Sequence, residues 1–308
     1  MLRSSLLYLS QADWAKSLIM KIGPARRSAA RFVAGETLHE AIEITRHLND
    51  DGLQVALDHL GESVTDQQGS VQAAQVYLDL LDAVAASGVR ATASLKLTQL
   101  GLDISEQLCL DNMGRILERA RATGNHITID MESSVYTDRT LRVYRTLRQD
   151  FANVGTVIQA YLRRSEDDMR ALAAEGAFVR LCKGAYKEPP SVAFAKKTEV
   201  DASFVRLTEL FLSEEARAAG AFLAVGTHDE KMIAAAKAYV RAHDVPYDRF
   251  EFQMLYGIRP NLQAQLRDDG FTMRVYAGFG KEWYPFYMRR LAERPANVWF
   301  IVSNFFRR

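Results

Sequence analysis

The stretch RATASLKL (Arg90–Leu97), DNMGRILERARATG (Asp111–Gly124) and HITIDME (His126–Glu132) contains one strand–helix–strand unit. A short β-like run is followed by a segment with helical periodicity and then by a second β-like run. The helical segment ends in glycine, as helix C-termini often do. Strands that alternate with helices in this way indicate a parallel sheet.

The same alternation extends along the chain and contains eight β-like runs. The other six are LQVAL (Leu53–Leu57), GTVIQAYL (Gly155–Leu162), FVRLCKGAY (Phe178–Tyr186), AFLAVGTHD (Ala221–Asp229), FEFQMLYG (Phe250–Gly257) and TMRVYAG (Thr272–Gly278). Segments such as VQAAQVYLDLLDAVAASG (Val71–Gly88) separate them with helical periodicity. Eight such units match a closed (βα)8 barrel of the TIM type better than an open doubly wound sheet. The predicted fold class is therefore α/β.

The chain is expected to form one catalytic domain. Residues 1–50, which include the helix-like TLHEAIEITRHLND (Thr37–Asp50), are predicted to be an N-terminal helical segment. Residues 51–308 are predicted to form the barrel, since the length of 308 residues fits one barrel of about 250 residues with an extension.

The composition is that of a globular protein and excludes several function classes. The chain has 39 basic and 38 acidic side chains, so its net charge does not favour a nucleic acid as partner. Cys109 and Cys182 form no CxxC pair, which favours a reducing compartment. No apolar run approaches the roughly 20 residues that span a bilayer. We therefore expect a cytoplasmic protein without a transmembrane segment.

The chemistry is expected at the carboxyl ends of the strands, where barrels of this kind carry their active sites. The predicted rim is rich in cations, with Asp130 as its deepest acid. The cations are Lys96, Arg180, Lys183, Arg289 and Arg290. Like charges that converge repel one another unless anions lie among them. The rim therefore predicts a site for an anionic substrate and an electron-rich cofactor.

The absence of other motifs narrows the reaction class. The sequence has no GxGxxG, P-loop, HExxH or GxSxG, and His228 alone cannot build a metal site. One alternative is a class I aldolase-like barrel in which Lys96 or Lys183 forms a Schiff base. Another is a barrel that binds a small anion without catalysis.

Seven strings at the predicted strand ends and on the last helix resemble the proline dehydrogenases, in the same order. They are KLTQLG (Lys96–Gly101), DME (Asp130–Glu132), QAYL (Gln159–Leu162), RLCKGAY (Arg180–Tyr186), THD (Thr227–Asp229), FEFQMLYG (Phe250–Gly257) and YMRRLAE (Tyr287–Glu293). Two departures are Cys182, where an aliphatic residue is expected, and the loop YAGFG (Tyr276–Gly280), which lacks the family's proline.

The resemblance implies a distorted (βα)8 barrel with non-covalently bound FAD. It implies oxidation of L-proline to pyrroline-5-carboxylate by hydride transfer to flavin N5, the first step of proline catabolism to glutamate. It further implies a membrane quinone as electron acceptor, peripheral contact with the inner face of the membrane, and transient contact with pyrroline-5-carboxylate dehydrogenase. The length favours the monofunctional form of the enzyme.

The resemblance also assigns roles to residues. Asp130 and Arg180 are the expected catalytic residues, and Arg180 would meet the flavin N5 edge. The residues expected to bind substrate are Lys96, Arg289, Arg290, Tyr276, Tyr186 and Leu181. Those expected to bind the flavin, together with Arg180, are Met131, Gln159, Lys183, Gly184, Ala185, Thr227, His228 and Glu293.

A gate follows from the closed barrel, because its last strand lies beside its first. The loop that bears Glu62 would then face the helix that bears Arg289. We expect the two to form an ion pair that shuts water out when substrate is bound.

Overall fold

The structure, a computed structural model, describes residues 31–61 and 64–293, and the side chains of residues 289–293 are not part of that description. Eight parallel strands form a closed barrel in sequence order. They are β1 (Gln54–His59), β2 (Ala91–Leu95), β3 (Ile127–Ile129), β4 (Val154–Gln159), β5 (Phe178–Cys182), β6 (Phe222–Gly226), β7 (Phe250–Leu255) and β8 (Met273–Phe279). All eight predicted strands and the predicted closure are confirmed: β8 pairs with β1, with Val275 opposite Val55.

Helices alternate with the strands. They are α1 (Leu38–Asp50), α2 (Gln67–Ser87), α3 (Glu106–Ala122), α4 (Thr137–Arg148), α5 (Ser165–Ala174), α6 (Lys197–Phe211), α7 (Glu214–Ala218), α8 (Glu230–Ala242), α9 (Pro260–Asp268) and α10 (Trp283–Glu293). Short 3₁₀ turns follow β2 (Leu97–Leu100) and β3 (Ser134–Tyr136) and precede β7 (Tyr247–Arg249). The predicted helix at Thr37–Asp50 is confirmed as α1, and residues 1–30 lie outside the described part of the chain.

Capping side chains set the helix ends. Helix α2 begins four residues before the predicted Val71, because the Asp66 side chain accepts a hydrogen bond from the Gly69 N–H. Helix α3 likewise begins at Glu106 because Ser105 caps it. The predicted glycine end is confirmed for α2: Gly88 adopts φ 67°, a left-handed conformation that favours glycine.

The core has two different layers. Strand residues that point outward, such as Leu57, Leu95 and Val275, are completely buried in an apolar layer against the helices. Residues that point inward are largely polar, among them Asp58, Arg180 and Gln253. The barrel interior is therefore a hydrogen-bonded polar core, whereas barrels of this type commonly fill it with branched apolar side chains.

Candidate active site

Arg180 is the centre of the polar network near the carboxyl ends of the strands. Its Nε donates to Gln253 Oε1 at 2.5 Å, Nη1 to Asp130 Oδ1 at 2.5 Å, and Nη2 to Ser94 Oγ at 2.8 Å. Its guanidinium also lies 5.1 Å from the centroid of the Tyr276 ring. Burial works against its charge, but Asp130 and other nearby groups raise the pKa of Arg180 overall. The arginine is therefore a charged group held rigidly by three strands and the segment after β3.

Asp130 and Tyr276 extend the network across the barrel. Asp130 follows β3, and Tyr276 lies on β8. The Tyr276 hydroxyl lies 2.6 Å from Asp130 Oδ2 and 2.6 Å from Asp58 Oδ2. Burial raises the pKa of the Tyr276 phenol well above its usual value, and the two carboxylates add to that shift. The phenol therefore keeps its proton.

Asp58 is the acid that the sequence analysis did not assign to the site. Lys96 Nζ donates to Asp58 Oδ2 at 2.9 Å. The Asp58 side chain is 1% exposed and that of Asp130 13%, so the prediction that Asp130 is the deepest acid is wrong. Asp130 bonds Arg180, whereas Asp58 bonds Lys96. The alternation of side chains along β1 could have indicated Asp58, because this residue lies on the inward face of the strand together with Gln54 and Ala56.

A second buried ion pair, Arg274 with Glu251, lies closer than Arg180 to the amino-terminal ends of the strands. Gln253 Nε2 donates to Glu251 Oε1 at 2.5 Å, and Arg274 binds the Glu251 carboxylate through two nitrogens at 2.7 and 3.0 Å. Arg274 also donates to the Val55 carbonyl at 3.1 Å and to Gln54 Oε1. Polar contacts therefore run without a break from the floor of the barrel to its mouth.

Carboxylates of the protein itself lie among the predicted rim cations whose side chains the structure describes. Lys96 and Arg180 each have a carboxylate partner. Lys183, after β5, lies between Asp201 on α6 and Asp229 after β6, at 2.7 Å from the latter. Lys197 contacts the same two carboxylates. A Schiff-base nucleophile needs a free neutral amine, so these pairs do not favour the aldolase-like alternative.

Except for Glu293 on α10, the residues predicted to meet the flavin lie in or just after β3 to β6. Met131, Gln159 and Thr227 are buried, at 6%, 4% and 7% exposure. Gln159 Nε2 donates to the Met131 carbonyl at 3.4 Å, while Gln159 Oε1 is buried without a hydrogen-bond partner among residues 31–61 and 64–288. His228 Nε2 accepts from the Leu255 N–H at 3.3 Å.

The loop after β5 carries the remaining flavin and substrate predictions. Gly184 adopts φ 105°, and a Cβ there would overlap the Tyr161 ring. Ala185 is exposed and Tyr186 is half-buried. Only glycine fits this backbone conformation so close to an aromatic ring.

Leu181 does not join the other predicted substrate residues. Alternate residues of a strand point to opposite faces, so the neighbour of Arg180 points toward the helices. Leu181 is completely buried in the apolar layer. We therefore remove it from the predicted pocket.

Four predicted residues remain outside this description. Glu62 lies outside the described residues. Arg289, Arg290 and Glu293 lie on α10, whose backbone is described without their side chains.

Among the described residues, no helix is both long and apolar enough to cross a membrane. No group of three or more His, Cys, Asp or Glu side chains within these residues could hold a metal ion.

Comparison with known proteins gives the family. The model of the proline dehydrogenase family matches residues 41–303. Proline dehydrogenase 1 of Bacillus subtilis (strain 168) is 41% identical over 304 residues, which cover 99% of each chain. Proline dehydrogenase of Deinococcus radiodurans is 40% identical over 281 residues, covering 90% of this chain and 89% of that protein.

A solved structure shows the same barrel. Proline utilization A (PutA) from Bdellovibrio bacteriovorus, inactivated by N-propargylglycine, superposes with a TM-score of 0.81 at 25% identity. The match covers 87% of this chain and 33% of that protein, so the chain spans about a third of the length of this larger relative. With a family match over most of its length and relatives at about 40% identity, this chain belongs to the proline dehydrogenase family.

Proposed function

We propose that this protein oxidises L-proline to pyrroline-5-carboxylate with FAD as its cofactor. One observation carries the proposal. In a chain of the proline dehydrogenase family, the barrel brings Lys96, Asp130, Arg180 and Tyr276 into one hydrogen-bonded group at its carboxyl end. When bound, the flavin supplies the acceptor, at N5, for the hydride that leaves proline.

The described residues fit a flavin. The buried Gln159 Oε1 has no hydrogen-bond partner in the part of the chain that the structure describes, and a ring N–H donor of the cofactor would satisfy it. Arg180 uses three of its five N–H donors within the network, so two remain for a bound group. The residues that would hold the flavin are Met131, Gln159, Arg180, Lys183, Gly184, Ala185, Thr227, His228 and Glu293.

The substrate would be held by charge at one end and by aromatic rings at the other. Lys96, together with Arg289 and Arg290 from α10, would bind the proline carboxylate through charge-assisted hydrogen bonds. Tyr186 and Tyr276 would enclose the pyrrolidine ring. Asp130 would hold Arg180 in place while Arg180 stabilises the negative charge that arrives with the hydride.

The proposed function also includes a gate over the substrate, an electron acceptor and a place in the cell. Glu62 and Arg289 would pair over bound substrate and exclude water, as the pairing of β8 with β1 supports. Electrons would pass to a membrane quinone, with the protein cytoplasmic and in peripheral contact with the inner membrane face. The product would pass to pyrroline-5-carboxylate dehydrogenase through transient contact.

An absorbance spectrum tests the proposal directly. We expect purified protein to be yellow and to bleach when proline is added without oxygen, because electrons from proline reduce the flavin. Addition of a quinone should restore the colour. A colourless protein that forms a lysine adduct with a carbonyl substrate and borohydride would support the aldolase-like alternative. A yellow protein that proline leaves unchanged would contradict proline oxidation and leave anion binding without catalysis.

Gly184→Ala should weaken flavin binding. The left-handed backbone at Gly184 and the adjacent Tyr161 ring leave no room for a methyl group, so the loop must move. Strain of this kind corresponds to about a tenfold loss of affinity or more. The measurement is the flavin bound per chain at a series of flavin concentrations.

Gly220→Ala is the matched control. Gly220 has a similar φ of 92°, but a Cβ there meets nothing within 4 Å. It lies before β6, at the end of the barrel opposite the site. This variant should bind flavin like the wild type. Equal flavin loss in both variants would show that general backbone strain, and not the Tyr161 contact, is responsible.

A further inference from the structure

The Tyr276 hydroxyl makes two short contacts but has one proton to donate. Its oxygen lies 2.6 Å from both Asp58 Oδ2 and Asp130 Oδ2. Such a distance is typical of O–H···O⁻ bonds, in which a hydrogen lies between the oxygens. A phenol donates once and accepts through its lone pairs. The second contact therefore needs a hydrogen from one of the two carboxyl groups.

Among the other polar groups around the pair, Lys96 faces the same Asp58 oxygen as Tyr276, whereas Arg180 and Tyr77 face the remaining carboxylate oxygens. Lys96 binds Asp58 Oδ2, and Arg180 binds Asp130 Oδ1. The Tyr77 hydroxyl from α2 lies 3.4 Å from Asp58 Oδ1 and donates to Gln99 Oε1 at 3.1 Å. Burial raises the pKa of the Tyr77 phenol and lowers that of His59, so both are neutral at neutral pH.

Asp58 is the carboxyl group whose surroundings favour a proton. Its side chain is 1% exposed. Burial raises the pKa of Asp58 above its usual value; Lys96 opposes the shift and the nearby Asp130 adds to it. Geometry and burial thus agree on a proton between these carboxyl groups.

We propose that Asp58 and Asp130 share one proton through the Tyr276 hydroxyl, and that Asp58 is a positioning residue that aims Lys96 at the substrate carboxylate. The positioning role of Asp58 rests on the proposed function, whereas the shared proton rests on the two short contacts of Tyr276 and the burial of Asp58.

The shared proton changes the net charge of the group formed by Lys96, Arg180, Asp58 and Asp130. Lys96 and Arg180 contribute two positive charges, and two carboxyl groups that share one proton contribute one negative charge. The sum of +2 and −1 is +1, which favours an anion. Loss of the proton at higher pH brings the sum to zero, so affinity for a carboxylate should fall as that proton is lost.

The variant Asp58→Asn tests the shared proton separately from the positioning of Lys96. The amide oxygen can still accept a hydrogen bond from Lys96, but the side chain cannot ionise. The probe is tetrahydrofuran-2-carboxylate, which has the ring and carboxylate of proline without a titrating amine. In the flavin-loaded wild type, its affinity should decline on the alkaline side. In Asp58→Asn that decline should be absent, and neutral-pH affinity should stay within about threefold. Any decline caused by Lys96 itself would persist in the variant.

Asp58→Ala removes both roles. Lys96 loses its buried hydrogen-bond acceptor, and we expect about a tenfold weaker affinity for the probe at neutral pH. Asp103→Asn is the matched control, since Asp103, like Asp58, accepts from a tyrosine and a basic side chain, here Tyr136 at 2.8 Å and Arg139 at 2.9 Å, but lies on the surface. This control should keep the wild-type pH profile.

Infrared spectroscopy observes the proton without any reaction. The wild type minus Asp58→Asn difference at neutral pH should contain the C=O band of a protonated carboxyl group that shifts in D2O. Tyr276→Phe removes the bridging hydroxyl and should shift the frequency of that band. This variant also provides the test if Asp58→Asn fails to fold.

Absence of the band, or an alkaline decline that persists unchanged in Asp58→Asn, would overturn the shared proton. An Asp58→Ala variant with wild-type affinity would overturn the positioning role. Failure of the proposed function would appear separately, as a wild type that proline does not reduce.

Discussion

Arg180→Gln should lower kcat/KM for proline by about a thousandfold, the upper end of what removal of one fixed electrostatic donor costs in other enzymes. Glutamine cannot reach Gln253, Asp130 and Ser94 together, and it carries no charge. The loss should appear mainly in the rate of flavin reduction by proline, since Arg180 would act on the charge that the hydride brings. Rapid-mixing measurements of that rate under anaerobic conditions check the prediction.

Arg142→Gln is the control for this experiment. Arg142 on α4 binds Glu106 through two nitrogens at 3.1 and 2.8 Å, but its side chain is 56% exposed. Surface pairs of this kind contribute little, so turnover should remain within about twofold of the wild type. If Arg180→Gln binds flavin normally and is still reduced at the wild-type rate, Arg180 has no catalytic role.

Arg274→Met should destabilise the fold by about 3–5 kcal/mol, the usual effect of removing one partner of a buried ion pair. The Glu251 carboxylate is 3% exposed and would lose its only described cationic partner inside the barrel. The measurement is the shift of the urea midpoint at unchanged slope.

The double variant Arg274→Met/Glu251→Gln identifies the cause. The double variant removes the Glu251 carboxylate together with its arginine partner. We therefore expect it to recover much of the lost stability. Arg145→Met, which breaks an exposed pair with Glu175, should cost less than about 1 kcal/mol. A double variant as unstable as the single one would indicate lost packing and not an unpaired charge.

The strands were predictable because their signal is local. Runs such as FVRLCKGAY and TMRVYAG combine β-branched and apolar residues with flanking glycine. β5 lies inside the first run, and β8 extends one residue beyond the second. Helix starts were less predictable: Asp66 and Ser105 act as caps, but the first two residues after each of them are polar. The capping hydrogen bond extends a helix beyond the apolar pattern that indicates it.

Within the site, the sequence indicated the members but not the pairs. Lys96, Asp130, Arg180 and Tyr276 were all predicted at strand ends, and the barrel brings them together. Asp58 was missed as a site residue, although it also ends a strand. Leu181 was assigned through its neighbours in the string, whereas the alternation of side chains along β5 turns it toward the helices.

By itself, the sequence determined the eight strands, the barrel and the polar residues at its carboxyl end, because period, glycine placement and strand-end chemistry are properties of short segments. Only the tertiary structure decided which acid meets which base. Asp58 and Lys96 are 38 residues apart, and Arg180 and Asp130 are 50 residues apart. Their pairing depends on the register of neighbouring strands and on the depth of each carboxylate, which arise only when the barrel closes.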